Sequence, residues 1–379
     1  MARIILVEGL DRYFLLNRAP LGEALLERGH EVWAVASESD AACEIRARGF
    51  HFAALPESVR GRRNLLAEVE ALLFMVRLYW RLRPQLVHHF TLRPVLFGSL
   101  AARIVGGIAT VNSITGLGYL FTEKDRAHFL RWLVSSLYRL ALGKTFTIVQ
   151  NPDDYDFVLS AGWVRREALG LIPGSGVDCR RFSPTPEPTG QSVRVVLPGR
   201  ILKDKGVHEF VEAARLVASE RPEIEMILVG DTDPAHPTAI NPGEIQSWVD
   251  QGWVRWLGFQ SDMPAIFASA NIVVLPSYRE GFPKALLEAC ACQRAVVGTD
   301  VPGVREVVLD GQTGLLAEVR DSRSLARAIL RLAGDPELRS KLAVAGRQLA
   351  ETRSTASIVE QILEVYRGLG LCEDRLPDQ

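Results

Sequence analysis

The feature that most limits what this chain can fold into is its alternation of short apolar runs with amphipathic stretches of helical spacing, sustained almost end to end. Residues 4–7 and 32–36 read as buried strands, and 20–28 between them has helical spacing. Residues 86–88, 109–112 and 147–150 continue the series, each followed by a polar or glycine-bearing turn. Beyond Pro184 the pattern restarts with 193–197, 225–229, 254–257, 272–275 and 295–297. Strands alternating with helices imply right-handed βαβ units and parallel sheets covered on both faces. Two such series imply two Rossmann-like domains, as expected for 379 residues, more than one hydrophobic core usually organises. The expected division is an N-terminal domain over 1–180 and a C-terminal domain over 190–355. A closing segment, 356–379, carries a helix that packs back on the first domain and ends in a frayed tail. Residues 173–191, rich in Gly and Pro, are the expected linker.

Charge is unevenly spread. The net charge is −1, which gives no pull toward nucleic acid. Residues 60–144 nevertheless hold 13 basic and 4 acidic side chains, a local +9, against 31 basic and 41 acidic elsewhere, or −10. Within that region Arg60, Arg62 and Arg63 lead into a helix with Leu65, Leu66, Val69, Leu72, Leu73 and Val76 on one face. Phe129, Trp132, Leu133, Leu137 and Tyr138 recur with Arg131, Arg139 and Lys144. Each stripe suits either a core or an anionic lipid surface. The five cysteines (Cys43, Cys179, Cys290, Cys292, Cys372) are odd in number and scattered, which points to reduced thiols in a cytoplasmic protein. Cys290 and Cys292 diverge on a helix and read as small core residues, not a chelate. The apolar N-terminal run is too short for a signal peptide, and no stretch reaches the roughly 18–20 apolar residues of a membrane span.

The segment from Pro276 to Ala289 carries the most chemistry. A strand runs into a turn, and a helix starts near Phe282 or Pro283, with proline suited to the first helical turn. Its free N–H groups and positive dipole end favour an anion such as a diphosphate. Glu280 falls in the turn and Glu288 on the second helical turn, where acceptor-only carboxylates suit sugar hydroxyls. An isolated pair of this kind is ordinarily surface charge. Arg200 and Lys205 alter that reading, because they follow a strand at the carboxyl end, where open α/β sheets bind ligands. No Asp-x-Asp cluster is placed to hold a metal; Asp231-Thr-Asp233 reads as a loop turn. No Gly-x-Gly-x-x-Gly follows a strand, which disfavours a nicotinamide oxidoreductase.

Gly199-Arg200, Lys205-Gly206, Trp256-Leu-Gly258-Phe259, the Glu280 to Glu288 motif, Thr299 to Gly303 and Asp310 to Leu316 together resemble the retaining glycosyltransferases of family 4. The resemblance spans nearly the whole chain. It implies the α/β GT-B fold, two facing Rossmann-like domains with parallel sheets, and a nucleotide diphosphate sugar held mainly by the second. It implies that Arg200 and Lys205 contact the diphosphate, Glu280 the transferred sugar and Glu288 the ribose. Gly199, Gly258, Phe259, Gly281, Phe282, Pro283 and Lys284 are the further donor-binding residues, and uridine is the expected base, with guanosine open. The N-terminal half resembles bacterial enzymes that extend lipid-linked or surface polysaccharide sugars, through Val87 to Pro94, Asn112 to Tyr119, Gln150 to Asp154 and Ile172 to Asp178. Gly9, Thr115 and Gly116 are carried over as substrate-binding residues there. His88, at a strand end, joins Glu280, Arg200 and Lys205 as a catalytic candidate lining the site, with a packed or surface histidine as its alternative, and His89 is the structural member of the pair. Two departures bear on the acceptor: the first turn has Gly9 alone where paired glycines are usual, and Arg93 stands where lysine is common. The expected partners are the nucleotide sugar, a lipid-linked or oligosaccharide acceptor and an anionic membrane surface, with no cofactor and no metal. A nucleotide-sugar epimerase and a non-catalytic nucleotide-sugar sensor are the rival readings.

Overall fold

The computed structural model describes residues 1–56, 65–117, 128–190, 192–234 and 236–371. Arg60, Arg62, Arg63, Gly118, Tyr119 and Cys372 lie outside the described residues, as do the side chains of Leu65, Phe129 and Arg131. The chain divides into two units, Met1–Ser175 joined by the segment from Ile358, and Gly176–Ser357.

The first unit runs β1 (Arg3–Leu10), α1 (Asp11–Asn17), α2 (Ala19–Glu27), β2 (Glu31–Ser37), α3 (Ala41–Ala47), β3 (His51–Ala54), α4 (Leu65–Leu82), β4 (Leu86–Phe90), α5 (Leu92–Val105), β5 (Ala109–Ile114), α6 (His128–Leu142), β6 (Phe146–Val149), α7 (Pro152–Ser160) and β7 (Leu169–Leu171). Its seven strands form one parallel sheet in the order β3-β2-β1-β4-β5-β6-β7, with Ile5 level with Trp33 on one side and Val87 on the other. Both sheet faces are buried, which is why the strands read as unbroken apolar runs. The chain leaves β1 in one direction for β2 and β3, then returns to the other side of β1 for β4. Right-handed crossovers therefore put α1–α3 on one face and α4–α7 on the other.

The second unit runs β8 (Arg194–Pro198), α8 (Val207–Glu220), β9 (Glu225–Val229), α9 (Pro242–Asp250), β10 (Arg255–Trp256), α10 (Met263–Ala268), β11 (Ile272–Leu275), α11 (Lys284–Ala291), β12 (Ala295–Thr299), β13 (Leu315–Ala317), α12 (Ser322–Gly334) and α13 (Pro336–Thr352). Its parallel order is β10-β9-β8-β11-β12-β13, so the same reversal falls between β8 and β11. Helix starts follow the sequence: Asn151, Asn241, Asp262, Asp321 and Asp335 each cap a helix through a side-chain oxygen that accepts a backbone N–H. The last helix, α14 (Thr355–Gly368), sends Ile358, Ile362, Leu363 and Tyr366 into the same core as Ile4, Leu6, Phe14 and Val32.

Several sequence expectations change on contact with the structure. Short edge strands β3, β7 and β13, of 4, 3 and 3 residues, escape periodicity because too few positions alternate. Residues 184–188 are no free tether: fully buried Arg294 donates to the Thr185 and Pro186 carbonyls, while Glu187 accepts from Asn271 and Arg339. The core stripe of α4 is Ala67, Ala71, Met75 and Tyr79, whereas Leu66, Val69 and Leu73 point outward. Cys290 and Cys292, by contrast, are the buried, unpaired core residues expected, and burial pushes their thiols up to about 12 and about 11.

His88 is the clearest correction. It is fully buried, with Nδ1 on the Tyr366 hydroxyl at 2.6 Å and Nε2 on the Ser113 hydroxyl at 2.8 Å. Burial, with Arg18 and His89 adding to it, holds its pKa far below the usual imidazole range. Both nitrogens are committed inside the unit, where they pin α14 to the sheet. A strand-end position looked like a site position only because register could not show that the side chain points at α14. His89 is structural too: Nδ1–H donates to Asn112 at 2.8 Å, leaving Nε2 to accept from the Tyr79 hydroxyl at 2.8 Å. Gly98 makes room for that ring, since a Cβ there would come within 2.2 Å of it.

Candidate active site

Four turns at the carboxyl ends of β8, β9, β11 and β12 converge in the second unit, around the point where strand order reverses. The first two are bound to each other through their backbones. Gly199 N–H donates to Val229 and Ile201 N–H to Asp231, at 2.8 and 2.9 Å. Gly230, at φ 138°, passes so close that a Cβ would lie 1.9 Å from the Gly199 carbonyl oxygen. Only glycine fits there.

That scaffold presents Arg200, which is half exposed and pairs with Asp233 at 3.3 Å. A short 3-10 turn, Lys203–Lys205, follows and delivers Lys205. Its Nζ donates to Glu280 Oε1 at 2.5 Å, with the two side chains 22% and 12% exposed. Sequence places these residues 75 positions apart. Backbone contacts bring them together: Gly206, at φ 71°, lies where a Cβ would come within 2.1 Å of the Pro276 carbonyl oxygen, and Tyr278 N–H donates to the Asp204 carbonyl at 2.9 Å. From the other side, Glu280 N–H donates to Pro302 at 3.2 Å, and a Cβ on Gly303 (φ 79°) would lie 2.3 Å from the Glu280 carbonyl oxygen. The Glu280 turn is thus clamped between two glycines. The Tyr278 hydroxyl donates to Glu209 at 2.6 Å beneath the Arg320 guanidinium, which lies 4.5 Å from its ring.

Beyond the turn, Gly281 is buried and Phe282 packs on the core under the Arg353 guanidinium, 5.6 Å away. Pro283 is the N-cap, one position before the first helical turn expected for it, and Lys284 is the first residue of α11. Glu288, one turn on, is half-buried. Burial raises its carboxyl, and Lys284 and Arg181 oppose that shift. A shielded carboxylate near two cations is the kind of perturbed group that clusters at functional sites. Gly258 (φ 64°) and Phe259 form a further turn, after β10, where Asp231 accepts from the Phe259 N–H at 3.1 Å and leaves the ring 68% exposed.

The structure therefore joins Lys205 to Glu280 directly, ties Gly199 and Gly258 to the β9 turn through backbone bonds, and ties Phe259 to it through its N–H on the Asp231 carboxylate. Arg200 and Glu288 face other partners. Asp231 and Asp233 were read as a loop turn, yet Asp231 fixes the Phe259 turn and Asp233 balances Arg200. The signal for both is that Gly230-Asp231 after β9 repeats Gly199-Arg200 after β8. Arg181 gave no signal, because only the fold carries it to α11.

In the first unit, Gly9 sits near the end of β1, where its N–H donates to Glu8 at 2.8 Å. Glu8 is buried against Arg18 at 3.0 Å, and Arg18 stacks 4.0 Å from the Phe90 ring centre. Thr115 and Gly116 (φ 140°) follow β5. These turns lie at the carboxyl ends of the first sheet.

Comparison with known proteins agrees with this geometry. Residues 3–151 match the family model for glycosyl transferase 4-like domains, and residues 192–335 the model for glycosyl transferases group 1. The putative glycosyltransferase EpsD of Bacillus subtilis is 30% identical over 74% of this chain and 76% of its own length. The N,N'-diacetylbacillosaminyl-diphospho-undecaprenol alpha-1,3-N-acetylgalactosaminyltransferase of Campylobacter jejuni is 26% identical over 92% of this chain and 94% of its own. Among solved structures, an Anabaena protein in complex with UDP and glucose superposes with a TM-score of 0.75 at 18% identity, covering 97% of this chain and all of that one. Two Rossmann-like units, a Lys–Glu pair at the switch point of the second, and matches over both halves make the chain a GT-B glycosyltransferase of the group 1, 4-like family.

Proposed function

We propose that this enzyme is a retaining transferase that takes a hexose or N-acetylhexosamine from a UDP-sugar held in the second unit. The carrying observation is the Lys205–Glu280 contact at the switch point, a cation and a carboxylate clamped by backbone between two ligand-binding turns. In this reading Lys205 and Arg200 stabilise charge on the leaving diphosphate while the acceptor hydroxyl attacks from the face it leaves. Glu280 receives hydrogen bonds from the transferred sugar and Glu288 from the ribose. The fixed cations fill the role a divalent ion would otherwise take, so turnover should persist in EDTA. Loss in EDTA that magnesium or manganese restores would count against that assignment of charge.

The acceptor is a lipid-linked sugar used in surface polysaccharide assembly, as the Campylobacter relative's diphospho-undecaprenol substrate suggests. No helix among the described residues is long and apolar enough to cross a membrane. The enzyme then meets its acceptor from the cytoplasmic side, through the outward faces of α4 and α6. Trp80 and Trp132 are 65% and 63% exposed on these helices, and Arg77 and Arg81 are exposed on α4 with Trp80. The deciding experiment is mass spectrometry of products from a panel of nucleotide sugars offered with undecaprenyl-diphosphate sugars. Release of free UDP with a glycosylated lipid is expected. Epimerised nucleotide sugar, or no product from any pair, would overturn the reading.

A further inference from the structure

The first sheet also reverses its strand order, between β1 and β4, and a cavity of ≈ 240 Å³ opens at the carboxyl ends of the strands there. Its wall is mainly hydrocarbon: Leu10, Leu55, Ala71, Met75, Pro94 and Phe97. The polar contributions are Ser37, Thr91 and Arg93. Arg93 reaches Glu68 through both Nε and Nη2, at 3.0 and 2.9 Å, so it brings its own counter-charge to the cavity. Thr91 holds φ 69°, a costly conformation for a β-branched residue. It is fixed by its N–H on the Ser113 carbonyl and by its own carbonyl accepting from Val95, each at 3.1 Å.

A sugar is a poor occupant. Its hydroxyls would be buried against aliphatic carbon with few partners, at a desolvation cost that hydrocarbon does not meet. The volume falls below the ~300–1,000 Å³ of pockets that enclose a whole drug-sized ligand, so it suits part of a longer chain. Ala71 and Met75 line it from the inner side of α4, while the outer side of that helix exposes Leu66, Val69, Leu73 and Trp80. One helix thus offers apolar surface both to the cavity and to solvent.

We infer that this cavity takes the first isoprene units of a polyprenyl-linked acceptor, next to its diphosphate. The inference rests on the lipid-linked reading of the acceptor given above, and a binding experiment separates the two. Geranyl diphosphate and inorganic diphosphate are titrated calorimetrically into the full chain without donor, for wild type, Ala71→Leu, which fills the cavity, and Phe97→Ala, which removes part of its wall. Both variants should bind geranyl diphosphate at least tenfold more weakly than wild type, the scale set by losing burial of about two methylene groups. Inorganic diphosphate should bind all three alike, and a far-UV circular dichroism spectrum and a single thermal unfolding profile like those of wild type report that the first unit of each variant is folded. Equal geranyl diphosphate binding by wild type and both variants, or affinity no better than that of inorganic diphosphate, overturns the inference even if polyprenyl-linked sugars prove to be acceptors. Selective binding as expected, with transfer only to soluble acceptors, would instead sustain the cavity and remove the lipid-linked reading.

Discussion

Lys205 and Glu280 are each other's partner in the free enzyme, which makes their separate removal informative. The contact is 2.5 Å long and mostly shielded, with 22% and 12% of the side chains exposed. That lies between exposed pairs, whose coupling is about 0.2–1 kcal/mol, and buried ones, whose breakage costs about 3–5 kcal/mol. Lys205→Ala should therefore cost about 1–2 kcal/mol of stability, a fall of roughly 2–8 °C in Tm for a unit of this size. Glu280→Gln keeps an oxygen to accept from the ammonium and should cost less. Activity should rank them differently. Glu280→Gln should lower kcat by on the order of 10²-fold or more without weakening UDP binding, because its hydrogen bonds to the sugar matter in the transition state. Lys205→Ala and Arg200→Ala should each lower kcat/KM by on the order of 10²-fold. Their combination should fall short of the product, since both serve one diphosphate. Thermal unfolding, UDP titration and steady-state kinetics on the single and double variants provide the readouts. Near-normal turnover in Glu280→Gln, or losses for Arg200 and Lys205 that simply multiply, would refute this reasoning.

Three further outcomes are expected. Gly303→Ala should destabilise the chain by more than about 1 kcal/mol and reduce kcat at least tenfold, because φ 79° strains alanine and its Cβ meets the Glu280 carbonyl; wild-type kcat would show that the Glu280 turn is not held from this side. Glu288 has a folded pKa above its ordinary 4.5, so the native state holds the proton more tightly and loses stability as pH rises past that value. Glu288→Gln should thus raise Tm near pH 7.5, leave it unchanged near pH 3.5, and weaken UDP binding; a Tm gain equal at both pH values would contradict the sign. The protein should cosediment with anionic but not neutral liposomes at low salt, less so when Arg77 and Arg81 become Gln or Trp80 and Trp132 become Ser, with UDP binding intact. Equal binding to both vesicle types, or none, would leave these helix faces without a lipid role.

The two parallel sheets and the Glu280 turn were legible because their signals are local: unbroken apolar runs for strands buried on both faces, and Gly, Pro and Glu at fixed offsets. What stayed hidden depended on neighbours far along the chain. The leucines of α4 suited either a core or a lipid surface, and the sequence could not choose; the residues that pack inward are Ala67 and Ala71, small enough for α5 to lie close, and Tyr79, whose hydroxyl finds His89. Burial of His88 depends on Tyr366, 278 positions away. Arg200 was legible as a cation after a strand, but its balance by Asp233 required knowing that β8 and β9 are neighbours.

A nucleotide-sugar site stocked with free cations would bind any anion in solution. Here each cation already has a carboxylate, Arg200 with Asp233 and Lys205 with Glu280. An arriving phosphate must displace those contacts, and a carboxylate left unpaired in a shielded turn is costly unless other donors reach it. A bare inorganic anion supplies none. A nucleotide sugar brings a diphosphate to take over both cations and, on the same molecule, hydroxyls that can donate to the released Glu280. In the proposed reading, charge pairing in the free enzyme converts non-selective attraction into a requirement for two linked groups, and ties the sugar's position to departure of the diphosphate it is leaving. The Lys205 and Glu280 variants read that exchange directly: if it operates, removing the carboxylate alone should tighten binding of inorganic diphosphate while slowing transfer.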